Sequence, residues 1–207
     1  MARSKRLTFI ASLTKGYHTV LDIGTDHGLV LKKAFDLGFI THGIAADIKE
    51  KPLNQAKRNL KKYQVDYVLS DGFKAIHQPF DLAIIAGMGA YTICDILKDA
   101  PKKDITLILQ ANDRHEHLRT FLADHQFQLI NEYIIDDGFY YVIMVVRYGN
   151  MTLSKEDAFL GPILKHKIEA IPYYQQQLRQ FKRIVTKADE MKKQEIQAKI
   201  DVLKGIL

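Results

Sequence analysis

The sequence predicts an α/β fold: a mostly parallel sheet covered by helices on both faces, finished by an antiparallel strand pair and followed by a helical C-terminal segment. Three observations predict it. Five short apolar runs end in turns rich in glycine or acidic residues, and helically spaced segments follow several of them, the pattern of strands joined by crossover helices. Two further strand-like runs meet at Asp137-Gly138, a tight-turn dipeptide, so a hairpin closes the sheet. Beyond residue 150 the strand signal stops, and Gln, Lys and Ile dominate.

The elements follow in order. Residues 3–14 form an opening helix with Leu7, Ile10 and Ala11 on one face. Thr19–Ile23 is the first strand, and Leu29–Leu37 a helix stopped by Gly38. Gly43–Asp47 is the second strand, followed by a helix over Lys51–Tyr63 with Pro52 in its first turn, where a missing N–H is harmless. Val65–Leu69, Phe80–Ala86 and Ile105–Gln110 supply strands three to five, and His115–His125 a helix. Leu129–Asp136 and Phe139–Arg147 are the hairpin. In the tail, Ile168–Val185 and Lys187–Lys204 have helical spacing, the second stopped by Gly205. Ile171, Tyr174, Leu178, Phe181 and Val185 recur at three- and four-residue steps; Met191, Ile196, Ile200 and Leu203 do so less regularly. Two helices of similar length with a short link predict an antiparallel helical hairpin. The expected domains are 1–150 and 151–207.

Composition narrows the function classes. A chain of 207 residues with 47% apolar and 26% charged residues buries a full core. A net charge of +6 favours a polyanionic partner, nucleic acid before an acidic membrane, although surplus surface lysine explains it equally well. Residues 151–207 hold 11 Lys and Arg against 7 Asp and Glu, so four of the six surplus charges sit there. Cys94 is the single cysteine, which excludes an intrachain disulfide and a thiolate zinc site and fits a reducing compartment. No run reaches the roughly 18 apolar residues of a membrane span. The basic start lacks a signal-peptide apolar block. A cytoplasmic monomer with no membrane or metal partner is expected.

Three turns mark a ligand edge. Asp22-Ile23-Gly24-Thr25-Asp26-His27-Gly28 follows the first strand, where glycine lets a ligand approach the backbone. Asp26 occupies the place where a phosphate loop wants its second glycine. A carboxylate there is unsuited to pyrophosphate and suited to the cationic sulfonium and ammonium of S-adenosylmethionine. Asp47 lies 23 positions beyond Gly24, at the distance of an acid that binds ribose hydroxyls, with Ile48 placed to pack on adenine; Asp47 as a helix cap is the alternative. Asp71-Gly72 after strand three offers an acceptor for adenine's exocyclic amine, or forms only a turn. All three lie at strand C-termini, the edge where open α/β sheets bind ligands.

The next two strand ends carry Ala86-Gly87-Met88-Gly89 and Gln110-Ala111-Asn112. The glycines admit a planar ligand, and Gln110 and Asn112 are neutral amides suited to reading a base edge. Asn112 serves equally as a helix cap. Met88, Tyr91 and Phe139 are candidates to wedge or stack against a flipped base, or are core residues.

Ser4-Lys5-Arg6-Leu7, Asp22 to His27, Ile85 to Gly89 and Leu107 to Asn112 together resemble the bacterial tRNA (adenine(22)-N1)-methyltransferase family, TrmK. The resemblance covers most of 3–147 and, less specifically, the tail. It implies a Rossmann-like class I methyltransferase fold with a seven-stranded sheet, S-adenosylmethionine as donor, tRNA as partner and 1-methyladenosine as product. Gly28, Ala90 and Ala111 depart from the alanine, glycine and proline associated with the family; reduced rigidity rather than altered chemistry is expected from these small-residue or loop changes.

On this reading Asp26, Gly87 and Met88 face the reaction. Asp22, Gly24, His27, Asp47, Ile48, Asp71, Gly72 and Ala86 bind the cofactor. Arg6, Gly89, Gln110, Asn112, Arg179, Lys182 and Arg183 bind tRNA, with Lys187 beside the last three. His27 orients the cofactor's carboxylate end or Asp26, or caps the following helix. The tail cations contact phosphates, or form a solvated helix face. A methyltransferase for another RNA base or a small metabolite, a nucleotide-dependent oxidoreductase and a non-catalytic RNA-binding protein remain as alternatives.

Overall fold

The computed structural model describes residues 4–186 and 189–207. Seven strands form one sheet: β1 (Thr19–Ile23), β2 (His42–Asp47), β3 (Val65–Leu69), β4 (Leu82–Met88), β5 (Thr106–Ala111), β6 (Phe127–Asp136) and β7 (Tyr140–Tyr148). Their order is β3-β2-β1-β4-β5-β7-β6. The first five strands run parallel, and β7 pairs antiparallel with both β5 and β6. The chain reverses direction across the sheet between β1 and β4, the topological switch point at which such sheets open a crevice.

Alternation along the strands separates two apolar layers. Leu21, Ile23, Ala83, Ile85, Leu107 and Leu109 face one side, where α4 (Ala90–Leu97) and α5 (His115–Asp124) cover them. Val20, Ala45, Leu82, Ile84 and Ile108 face the other, under α1 (Lys5–Ser12), α2 (Leu29–Asp36) and α3 (Glu50–Asn59). The tail comprises α6 (Lys155–Leu160), α7 (Ile171–Val185) and α8 (Glu190–Ile206). The helices α7 and α8 pack on one another across a short connection, as an antiparallel pair must. Leu160, Leu164, Tyr174 and Leu203 join the α4–α5 layer, so tail and sheet share one core.

A buried ion pair fixes that junction. Arg119 of α5 and Glu132 of β6 are 1% and 0% exposed and 2.7 Å apart. The second Glu132 oxygen accepts from the backbone N–H of Ile163 and Leu164, each at 3.0 Å. Arg119 donates to the carbonyls of Ala158 and Phe159. The tail backbone thereby supplies partners to both buried charges, although Nη2 of Arg119 has no hydrogen-bond partner among the described residues.

Several boundaries differ from the sequence reading. The helix expected to reach Tyr63 ends at Asn59. The α4 helix, not expected, buries Ala90, Ile93, Cys94, Ile96 and Leu97 and exposes Tyr91, Thr92 and Asp95; its eight residues are too few and too apolar to mark a helix by period alone. The strand expected to stop at Ala86 runs on to Met88, because Gly87 (φ +80) forms a bulge rather than ending the pairing. Gly205 lies inside α8 and does not stop it. Pro172 occupies the first turn of α7, as expected. Lys187 lies outside the described residues.

Candidate active site

The turn after β1 is built by its own backbone. Gly24 takes φ +72 and, with Thr25, donates its N–H to the Ala46 carbonyl of β2, at 2.8 and 3.0 Å. This pins the loop beside Asp47. Asp22 is buried, and the Thr25 hydroxyl donates to it at 2.7 Å. Burial first, with a smaller contribution from the carboxylates of Asp47 and Asp26, pushes its carboxyl up to about 6 against that hydrogen bond. Three carboxylates thus surround one glycine turn, a donor set that fits a ligand carrying positive charge.

Two cavities open along the C-terminal edge. The smaller, about 410 Å³, is lined by Gly24, Asp47, Ile48, Ser70, Asp71 and Gly72, with Thr92 and Ile96 of α4 on its far wall. Asp47 accepts from the Lys49 N–H at 2.9 Å and does not cap α3, whose N-cap position is Lys49. Ile48 is 62% exposed, an apolar shelf at the rim. Ser70 holds its turn by donating to the Gly72 carbonyl and accepting from the Ala75 N–H, while Asp71 pairs with Lys74 at 2.6 Å.

The larger cavity, about 810 Å³, is lined by Arg6, Asp22, Gly24, Asp26, Ala86, Gly87, Met88 and Asn112, by the aromatics Phe139, Tyr140 and Tyr141, and by Tyr173 and three glutamines of α7. Gly24 and Met88 line both cavities. A Cβ on Gly24 would lie 2.0 Å from the Met88 methyl, so the methionine rests directly on the glycine at the boundary.

A polar chain fixes Arg6 over this cavity. Its guanidinium donates to Gln110 at 2.8 Å and stands 4.7 Å from the Tyr141 ring centre. Gln110 donates to the Asn112 side chain at 3.1 Å, and Asn112 donates to the Gly87 carbonyl at 2.8 Å. Gln110 is fully buried and its amide is engaged with protein on both ends, so it supports Arg6 and Asn112 and cannot read a base as expected. Asn112 is not a helix cap: Arg114 precedes α5, and Asp113 caps α4 by accepting from the Ala90 N–H. The N-terminus of α1 is tied to the hairpin tip, where Asp137 accepts from the Ser4 hydroxyl and the Arg6 N–H.

His27 sits outside both cavities at φ +64, its ring 3.1 Å from Asp26 and its carbonyl held by Asn59; the N-cap position of α2 is Gly28, not His27. Gly89 lies beside Asp113 and lines neither cavity. Phe139 is 75% exposed at the hairpin tip, not in the core. Arg179, Lys182 and Arg183 are exposed on α7 away from the cavity floor. Sequence reasoning missed Tyr140, Tyr141, Tyr173 and the α7 glutamines as cavity residues. It also missed Arg114, a non-glycine residue at φ +48 whose guanidinium lies 5.1 Å from the exposed Tyr91 ring. The signal for Tyr140 and Tyr141 was their place immediately after the hairpin turn; the glutamines carried none.

A sheet of this order, with an acid-lined glycine turn after β1 and a cavity-lining acid, Asp47, at the end of β2, defines a Rossmann-like methyltransferase that uses S-adenosylmethionine. The family model described as tRNA (adenine(22)-N(1))-methyltransferase matches residues 20–205, and the chain belongs to that family. It is 31% identical over 184 residues to the tRNA (adenine(22)-N(1))-methyltransferase of Bacillus subtilis, covering 81% of this chain and 77% of that one. A Streptococcus pneumoniae structure assigned as a tRNA (m1A22) methyltransferase, in complex with S-adenosyl-L-methionine, superposes with a TM-score of 0.87 at 29% identity over 99% of both chains. Mycoplasma capricolum TrmK with S-adenosyl-homocysteine gives 0.85 at 25% identity over 99% of this chain and 97% of that one. No helix among the described residues is long and apolar enough to cross a membrane.

Proposed function

We propose that the smaller cavity holds the nucleoside end of the cofactor and the larger one the target base, in an enzyme that methylates N1 of adenine 22 in tRNA. The observation that carries this division is the shared boundary of Gly24 and Met88, the one place where donor and acceptor can meet. When bound, S-adenosylmethionine supplies an electrophilic methyl group on a cationic sulfur. Asp22 and Asp26 provide the negative potential that holds the cationic end, and Ala86 and Gly24 leave room for it. Asp47 accepts from the ribose hydroxyls. Ile48 covers the adenine ring, with Asp71 and Gly72 bordering its amine. His27 holds Asp26.

Adenine N1 carries a free lone pair near neutral pH, so no general base is needed. The residues therefore work by orientation, an effect worth up to about 7–11 kcal/mol in favourable cases. Arg6, braced by Gln110 and Tyr141, and Asn112 border the base. Gly87 lets the ring approach the backbone, and Met88 packs at the transfer point. Methylation places positive charge on the ring, and the Asp26 carboxylate stabilises it as it develops. Residues 1–150 carry the chemistry and 151–207 add RNA contacts, with Arg179, Lys182 and Arg183 on phosphates. We read the protein as a cytoplasmic monomer.

Nucleoside mass spectrometry of unmodified tRNA incubated with the protein and S-adenosylmethionine tests the reading. 1-Methyladenosine is expected in the adenine 22 transcript and not in one carrying guanine there. Product in both transcripts would move the target elsewhere; cofactor binding without product would remove tRNA as the acceptor.

A further inference from the structure

The wall of the larger cavity contributed by α7 has no part in the reaction derived above. Tyr173, Gln176, Gln177 and Gln180 fall at i, i+3, i+4 and i+7, a single helical stripe, and all four line the cavity. The opposite stripe of Tyr174, Leu178 and Phe181 packs into the core, so the helix cannot rotate the glutamines away. Gln177 donates to the Tyr173 hydroxyl at 2.7 Å, which leaves its carbonyl oxygen as an acceptor. The side-chain amides of Gln176 and Gln180 have no hydrogen-bond partner among the described residues, and both are exposed to the cavity mouth. Tyr140 meets Tyr173 edge-on at 5.8 Å, giving the same wall an apolar side.

We propose that this stripe is a second nucleotide subsite, in which Gln176, Gln177 and Gln180 read the base edge of the unpaired nucleotide adjoining the target adenine. The inference rests on the tRNA reading above. Its chemistry is that of the wall: neutral amides offer paired donors and acceptors to a base edge. A base can present that edge only when splayed from a helix, the state in which RNA is read by sequence. The tail then contributes specificity at the active site, in addition to any phosphate contact further along α7.

The test compares wild type with the double variant Gln176→Ala/Gln180→Ala, which keeps the Gln177–Tyr173 bond, and with the triple variant that adds Gln177→Ala. The substrates are adenine 22 transcripts in which each neighbouring nucleotide is changed in turn. Calorimetric S-adenosylmethionine affinity and thermal melting are measured alongside kcat/KM. Wild type is expected to discriminate between neighbours by about fivefold or more. Both variants are expected to lose that ratio through KM for tRNA, with cofactor affinity and melting unchanged. Variants that keep the wild-type ranking overturn the proposal, as does an active wild type with no neighbour preference. A wild type inactive on every transcript overturns the tRNA reading and the subsite with it.

Discussion

Asp22 shows how one buried carboxyl ties stability to ligand binding. Its pKa rises from the ordinary 3.8 to about 6, chiefly through burial. A raised folded pKa means that the protonated form favours folding. That contribution is complete below the ordinary carboxylate range and is lost as pH climbs through about 6. Two pK units correspond to about 3 kcal/mol, so the ionised carboxylate weakens the ligand-free fold at neutral pH by that order. Asp22→Asn should therefore raise the melting temperature by roughly 5 °C or more at pH 7.5 and by about half as much at pH 5. The same variant should weaken S-adenosylmethionine binding, and it should flatten the rise in affinity expected of wild type between pH 5 and 7. Equal melting shifts at both pH values, or a loss at pH 7.5, would contradict the assignment. Asp22, Gly24 and Asp47 were legible because each stands at a strand end in sequence order. Gln110 was misread because only packing shows that both ends of its amide are engaged by Arg6, Ala111 and Asn112. Gly28 was read as a small-residue exchange. Its φ of +69, and a would-be Cβ 2.6 Å from Leu60, show that alanine requires a local shift here.

Among the elements, the joint between α5, β6 and the tail carries the largest single electrostatic stake. Glu132→Gln leaves Arg119 buried without its counterion, a change that costs about 3–5 kcal/mol in comparable sites. Replacing both residues, as in Arg119→Met with Glu132→Leu, should recover only part of this, because the N–H groups of Ile163 and Leu164 lose the carboxylate they share. Denaturant unfolding of Arg119→Met, Glu132→Leu and their double gives the coupling directly, and additive effects would refute it. Gly161→Ala should be damaging for a related reason: φ is +96, and a Cβ would sit 2.6 Å from the Arg119 guanidinium. No periodicity announces such a joint. The sheet strands were legible because their apolar runs are bounded by turn residues. The α4 helix was not, since it is only eight residues long and mostly apolar, a run that periodicity alone does not assign to a helix. The short α6 helix was missed although Ser154 caps it through the Asp157 N–H, because six residues are too few to show a period.

For the molecule as a whole, the tail wraps back onto the sheet, so α7 presents one stripe to the cavity and another to the core. The cations Lys182 and Arg183 lie beyond the cavity residues and are exposed. Phosphate contacts by exposed cations give affinity without sequence preference and release counterions as they form. Lys182→Ala/Arg183→Ala should therefore weaken tRNA binding about equally for all transcripts. The slope of log affinity against log salt should also become shallower by somewhat under two, roughly 0.7–0.9 per lost contact. S-adenosylmethionine affinity should not change, because neither residue lines a cavity. The turnover number at saturating tRNA should hold as well, since the loss is one of uniform binding. Titrations of labelled tRNA at several salt concentrations separate the cases. An unchanged slope with unchanged affinity would make these cations a solvated helix face and move the phosphate contacts to another surface. A changed slope that depends on the nucleotides beside adenine 22 would instead place Arg183 within the base-reading stripe, three residues beyond Gln180.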